Sequence, residues 1–396
     1  MTRERRILGL KKNVFYLGLV SLFNDFSNEM IQSVMPVFLA VSLGVPPVGV
    51  GLIEGAADAV SSLVRIFSGW LSDKINRRKL PAILGYTISV STRPFFMLAT
   101  TFSHVLALRA IDRVGKGFRE PPRDALLSDS ADREELGRSF GYHRAIDAVG
   151  GMLGPLAAFL ILPFINYNYR ILFFIAFCVG LLAIFSFAFV REIKRPPEEK
   201  TPRFHFSLFG KHKTFCLFIA AIFVFGLGTL PITLMLLRPM EGGLQLGSVP
   251  LLYFVYYVVF VLTAFPLGRV SDRVGERSVI TIGFLAAIAA YIMLVLSSAI
   301  LPSVIAFIFF GLYSAATDGI ERALAAKLIS HELLATGQGL LNASVGLSSL
   351  LAGFIGGLLW TLFGAPAAFI YAILMAGIGF LMFAYISFFG RQKAAG

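Results

Sequence analysis

An all-α polytopic membrane protein, with twelve transmembrane helices in two six-helix bundles, is the fold class that three features of the sequence predict. Long apolar runs recur along all 396 residues, which are 57% hydrophobic and only 15% charged; a soluble domain carries about 25% charge. A short motif of one glycine, one aspartate and several basic residues occurs twice, 199 residues apart. Lysine and arginine gather in alternate loops, as the positive-inside rule requires. Only helices and closed barrels satisfy every backbone group in hydrocarbon, and apolar runs of about 20 residues are helix-length.

The spans centre near Asp25, Asp58, Ser91, Ala107, Gly150 and Val179 in the first half. In the second they centre near Phe225, Val258, Ala287, Ile308, Ser349 and Leu374. The basic clusters are Arg3, Arg5, Arg6, Lys11 and Lys12, then Lys74, Arg77, Arg78 and Lys79, then Arg269, Arg273 and Arg277, and finally Arg391 and Lys393. With the charged, proline-bearing stretch 192–212 they fall on one side if the spans alternate. Both termini are therefore expected in the cytoplasm, with the chain in the cytoplasmic (inner) membrane. The expected division is a first bundle over 1–191, a cytoplasmic connector over 192–212 and a second bundle over 213–396.

The net charge of +12 is accounted for by these helix-end clusters, so no nucleic-acid partner is expected. The first apolar run, about 14–43, is too long for a signal peptide core and has no small-residue cleavage site. Cys178 and Cys216 read as small core residues, with neither a disulfide framework nor a metal site. No phosphate-cradling loop of the Walker type occurs, which argues against ATP drive. No cofactor and no enzymatic activity are expected; the expected partners are a small-molecule substrate, protons and membrane lipid, and the expected state is a monomer.

The repeated motif places Gly69, Asp73, Arg77 and Arg78 in the first half against Gly268, Asp272, Arg273 and Arg277 in the second. At the same offset Arg123 falls on Arg322, and Gly137 and Gly337 lie 200 apart. Duplicated halves are the signature of a transporter that rocks about a central site. Gly69 lets helices approach, Asp73 can cap a helix N-terminus, and the arginines hold the loop at the membrane face. The motif, after spans two and eight, resembles the signature of the major facilitator superfamily. The resemblance implies two six-helix bundles, alternating access, coupling to an ion gradient, and a conformational latch at Gly69, Asp73, Arg77, Arg78, Asp272 and Arg273. The plainer alternative is a topogenic charge cluster.

Span four, with Arg109, Gly115 and Gly117, resembles the family's next motif, an arginine followed by spaced glycines. The family role of that arginine, assisting proton transfer, is implied for Arg109. Asp112, Arg113 and Lys116 stand where the family has uncharged residues. Helical spacing puts them on one face with Arg109, where they suit an anionic substrate group. Pro121 and Pro122 are expected to bend or end this helix, leaving Arg119, Arg123 and Asp124 on a solvated face.

Span five carries Gly141, Gly150, Gly154 and Pro155, which resembles the antiporter motif of the superfamily, although Ala158 and Phe159 replace its trailing glycines. Small residues at this spacing let two helices pack backbone to backbone, so the motif reads equally as export signature or as plain close packing. His143 and Asp147 are one turn apart, suited to a proton relay or to a fixed pair beside Arg144.

Spans one and two hold Asp25 and Glu29, and Glu54 and Asp58, each pair at i, i+4, with Arg65 on the face of Glu54. An intramembrane charge costs roughly 2.5–3.5 kcal/mol on insertion scales, so these acids either couple to protons or weld helices through arginine. The second half has little mid-span charge but an aromatic span eight, with Tyr253, Phe254, Tyr256, Tyr257 and Phe260. Those rings form either a substrate wall or a lipid-facing surface. Asp318, Glu321 and Arg322 come late in span ten.

The leading expectation is proton-coupled export of small organic molecules, drug-like or metabolite. Asp25, Asp58, Arg109, His143 and Asp147 are assigned to coupling. Glu54, Asp112, Arg113, Arg144, Tyr253 and Tyr257 are assigned to substrate. Two alternatives stay open: ion-coupled uptake of an anionic metabolite on Arg109, Arg113 and Arg144, and divalent-metal export using Asp25, His143 and Asp147.

Overall fold

The computed structural model describes residues 6–7, 10–75, 77–132, 135–193, 212–330 and 333–392, with the side chains of 70, 73–75, 335 and 387–392 excepted. Twelve long helices run through them. The first six are α1 (Lys12–Val37), α2 (Pro47–Ile75), α3 (Lys79–Thr92), α4 (Phe102–Ser130), α5 (Leu136–Ile161) and α6 (Tyr169–Phe187). The second six are α7 (Lys213–Leu227), α8 (Val249–Val274), α9 (Glu276–Leu296), α10 (Ile300–Thr317), α11 (Leu334–Phe363) and α12 (Ala365–Gln392). From α5 onward, eight helical stretches among the described residues are long and apolar enough to cross a membrane. Helices α1, α2 and α4 are as long, at 26, 29 and 29 residues, but carry the charges noted above. At 1.5 Å per residue even the shortest of the three spans about 39 Å, more than a hydrocarbon core of about 30 Å.

The chain divides into two compact units, Met1–Phe38 with Val60–Thr201, and Leu39–Ala59 with Pro202–Gly396. Of the expected connector, residues 194–211 lie outside the described residues.

In the first unit, Leu10, Val14 and Leu17, Ala82 and Tyr86, Leu126 and Leu127, and Ala183 and Phe187 bring the ends of α1, α3, α4 and α6 into one apolar core. A two-residue antiparallel ladder, β1 (Arg6–Ile7) with β2 (Leu10–Lys11), precedes α1. It is tied down by Arg6 to Glu135 at 2.7 Å and Lys11 to Asp132 at 2.7 Å.

Helix α4 departs from expectation. It runs unbroken through Pro121 and Pro122 to Ser130, so Ala107 lies one turn inside its start rather than at its centre. A proline inside a helix strips the carbonyl four residues back of its donor. Here the Ser68 hydroxyl of α2 donates to the Phe118 carbonyl at 2.5 Å, replacing the N–H that Pro122 lacks. The neighbouring turn is held by Gly117, where an added Cβ comes within 2.6 Å of the Ser61 carbonyl. Substitute hydrogen bonding from a neighbouring helix is how spanning helices tolerate proline.

In the second unit, Phe225 of α7 stacks on Phe284 of α9 at 3.6 Å between centroids. From there rings continue through Tyr313 and Phe310 of α10 to Tyr256 of α8. The first part of α2 packs on α11: a Cβ on Gly55 meets the Ser349 carbonyl at 2.7 Å, and one on Gly357 meets the Pro47 carbonyl at 2.6 Å. Both cysteines are free, and Cys178 is exposed. It points outward from α6 rather than into the core, because the buried stripe of that helix passes through Ala176, Gly180 and Ala183.

Candidate functional site

Helices α1 and α5 approach so closely that their backbones touch. A Cβ on Gly154 would lie 2.7 Å from the Met30 nitrogen and the Phe26 carbonyl, and one on Gly150 would collide with the Leu22 carbonyl. Gly141, expected in the same seam, does not contribute: it is exposed, and a Cβ there meets nothing within 4 Å. At that end the contact is made by Gly18, against which the Tyr142 ring packs.

Across this seam the carboxyls of Asp25 of α1 and Asp147 of α5 meet, placed to hydrogen-bond to each other. An ionised carboxylate only accepts, so a hydrogen bond between the two forms when one of them carries a proton. Ser21 donates to Asp147 Oδ1 at 2.7 Å. Asn24 donates through Nδ2 to Asp25 Oδ1 at 2.8 Å, and its own Oδ1 accepts from Arg93 Nη2 at 2.7 Å. His143, 2% exposed, lies beside Asp147, and its Nε2 has no hydrogen-bond partner among the described residues. Arg123 also faces Asp147.

A second layer joins α3 to α4. Gly85 and Gly115 meet, each with a virtual Cβ 2.7 Å from the other's carbonyl. This contact allows Ser89 to donate to the Asp112 carbonyl at 2.9 Å and to accept from Arg119 Nη1 at 2.8 Å. The Arg119 guanidinium lies 4.7 Å above the Tyr86 ring centroid, and at 5% exposure this residue is buried. The expected solvated face is therefore wrong for Arg119, because α4 continues past the prolines and carries that turn against α3. Arg109 pairs with Asp112 at 3.7 Å. Arg93, Arg109, Arg113 and Arg119 all act on the Asp112 carboxylate. Between α2 and α4, Arg65 binds Glu120 at 2.6 Å, a partner other than the Glu54 and Asp58 that share its helix.

Several expected site residues lie elsewhere. Asp58 is exposed and accepts from Ser349 of α11 at 2.9 Å, within the second unit. Glu54 is buried and Arg144 exposed. Lys116 is half-buried on α4. Tyr253 is only 5% exposed, enclosed by Tyr256 and Tyr257, and Tyr257 is half-buried.

At the repeated motif, Gly69 is not required by close approach, since a Cβ would sit 3.7 Å from the Pro121 ring, ordinary contact. The Asp73 side chain lies outside the described residues. Among the described residues the anion at the α3 N-terminus is Glu192, which accepts from the backbone N–H groups of Arg78 and Lys79 at 2.9 Å each. Arg78 pairs with Asp129 at 3.1 Å. Arg77, Asp272 and Arg273 are exposed.

Sequence reasoning missed Arg93, Asn24 and Ser21. The available signal for Arg93 was a lone arginine two residues from the expected centre of span three, where intramembrane charge is itself a flag. Among the described residues no group of three or more His, Cys, Asp or Glu is arranged to hold a metal ion.

The family model described as Major Facilitator Superfamily matches residues 17–250 and 217–395. An uncharacterised MFS-type transporter of Methanocaldococcus jannaschii is 31% identical over 387 residues, covering 95% of each chain. The quinolone resistance protein NorA of Staphylococcus aureus is 26% identical over 184 residues, 46% of this chain and 45% of that one. Among solved structures, a peptide transporter POT in complex with sulfate superimposes with a TM-score of 0.80 at 13% identity, covering 98% of this chain and 96% of the other.

Proposed function

Given that the chain belongs to the Major Facilitator Superfamily, a family of multi-pass membrane transporters, we propose that it exports small organic molecules, drug-like or metabolite, in exchange for protons. The observation that carries this reading is the Asp25–Asp147 pair. Two carboxyls facing one another across a helix seam hold a proton that must be gained and lost if the seam changes. His143 lies adjacent, with no hydrogen-bond partner on Nε2 among the described residues, and we assign it to relay that proton. Arg123 also acts on Asp147. NorA, a quinolone resistance protein, supports drug-like solutes as the substrate class. The tyrosines of α8 supply faces for an aromatic or cationic solute. The protein acts as a monomer in the cytoplasmic membrane, with both termini inside and the repeated loops as the latch of the cycle.

A second reading, uptake of an anionic metabolite, is favoured by the four arginines that act on the single carboxylate of Asp112, Arg109 among them at 3.7 Å. One experiment separates the two. Full-length protein in proteoliposomes loaded with a pH dye is challenged with ethidium, norfloxacin and a panel of small carboxylates. Proton movement opposite to ethidium or norfloxacin, abolished by Asp25→Asn and by Asp147→Asn, is expected. Wild-type exchange in both variants refutes the coupling assignment, and flux with carboxylates alone replaces export by the anion reading.

A further inference from the structure

We propose that Arg93 and Asn24 are a positioning pair that fixes which carboxyl oxygens hold the proton shared by Asp25 and Asp147. The inference rests on reading those two acids as the coupling site. Arginine has donors and no acceptor. With Arg93 Nη2 at 2.7 Å from Asn24 Oδ1 and 3.3 Å from the Asn24 carbonyl, the Asn24 amide has one permitted orientation. Its NH2 group is then turned to Asp25 Oδ1, 2.8 Å away. An amide NH2 only donates, so Asp25 Oδ1 is bound to accept and cannot carry the proton on the side facing Asn24. On the opposite helix, Ser21 Oγ occupies Asp147 Oδ1 at 2.7 Å. The sides of these two oxygens turned to Asn24 and Ser21 are closed to the proton, which is left to the lone pairs through which the two carboxyls face each other.

Arg93 itself has no freedom to swing. It is 2% exposed and lies at the start of the 3-10 turn Arg93–Leu98. Its Nη1 lies against Gly180 of α6, where a Cβ would displace it and would also stand 3.2 Å from Ser27 Oγ. The other charged groups that act on the acid pair are Glu29 on α1, His143 on α5, and Arg119 and Arg123 on α4. Arg93 also attracts Asp25 directly, but its hydrogen bonds to this site go to Asn24, so it is a positioning residue.

The test is infrared difference spectroscopy of the full-length protein in lipid nanodiscs, reading the C=O stretch of protonated carboxyls across a step in pH. The wild type gives one sharp band for the pair, altered in Asp25→Asn and in Asp147→Asn. In Asn24→Leu the proton gains access to the side of Asp25 Oδ1 that Asn24 had closed, and the band splits in two. The double variant Asn24→Leu/Arg93→Met gives the same split without stranding a buried cation, which covers a failure of the single variant to fold. Arg93→Lys, still a pure donor, keeps one band. A single wild-type band in both Asn24 variants overturns the positioning role while leaving the coupling pair intact. A band indifferent to Asp25→Asn and Asp147→Asn overturns the coupling reading itself.

Discussion

Replacing Gly154 by alanine tests whether the α1–α5 seam is what holds the acid pair together. The added Cβ would stand 2.7 Å from the Phe26 carbonyl and the Met30 nitrogen, where ordinary contact begins near 3.4 Å. Both obstacles are backbone and cannot rotate away, so the helices must part by about 0.7 Å, an overpacking strain of roughly 1–3 kcal/mol. The same displacement takes the Ser21 to Asp147 bond from 2.7 Å to about 3.4 Å, outside the range of an O–H···O hydrogen bond, and loosens the carboxyl contact beside it. Gly154→Ala is therefore expected to lower the melting temperature in detergent and to reduce proton exchange together. Gly141→Ala is the internal control. It belongs to the same sequence motif but faces open space, so alanine is expected to leave exchange unchanged and to stabilise by up to about 1 kcal/mol through helix propensity. Equal behaviour of the two variants, in either direction, would refute the argument that the motif works through backbone contact.

Three further outcomes follow from the structure. Ser68→Ala leaves the Phe118 carbonyl without a donor at the proline site and is expected to destabilise by about 1–2 kcal/mol in thermal unfolding, whereas Ser68→Thr, which keeps the hydroxyl, is expected to retain most of it. Arg65→Met strands Glu120, its partner at 2.6 Å; the loss, on the order of 1–3 kcal/mol, is expected to be recovered in Arg65→Met/Glu120→Leu, and no recovery would show that the pair is not acting as a unit. Glu192→Ala removes the acceptor for two backbone N–H groups at the start of α3 and is expected to weaken the protein by about 1–2 kcal/mol, read as a lower denaturation midpoint.

The helices were legible because membrane solvent leaves few choices. Apolar length alone identifies α5 through α12, and the centres expected near Gly150, Val179, Ala287 and Ser349 fall well inside their helices. Helix α4 was misjudged at its far end. The rule that proline ends a helix considers one chain, while the hydroxyl that rescues the Phe118 carbonyl comes from Ser68, 50 residues away. The site was half legible for a related reason. Asp25, His143 and Asp147 announce themselves as charge in an apolar run, and the glycine spacing of α5 marks the seam. Which acid faces which is a tertiary fact. The i, i+4 spacing links Asp25 with Glu29 and Asp147 with His143, yet the contact runs between helices, from Asp25 to Asp147. Asp58 looked equivalent to Asp25 by depth and type, but its partner is Ser349.

The charges of the first unit fall into two kinds of environment. Arg65 with Glu120, Arg78 with Asp129 and Arg119 with Ser89 and Tyr86 each match a cation to an acceptor or a ring on another helix. Such matches are what helix welding requires: opposite charges or complementary dipoles, with nothing to gain from a proton. Asp25 against Asp147 sets acid against acid, even with Arg119, Arg123 and His143 acting on the pair. Two acids in contact repel when ionised, so a seam built for rigidity alone would be better served by asparagine at either position, which supplies the same hydrogen bond at every pH. Aspartate at both positions gives the seam a dependence on proton supply that the amide lacks. A structural weld predicts that Asp147→Asn is as stable as the wild type and exchanges protons normally; a coupling pair predicts that it is at least as stable and does not exchange. Stability and transport therefore separate in this variant, and measuring both on one preparation distinguishes the two.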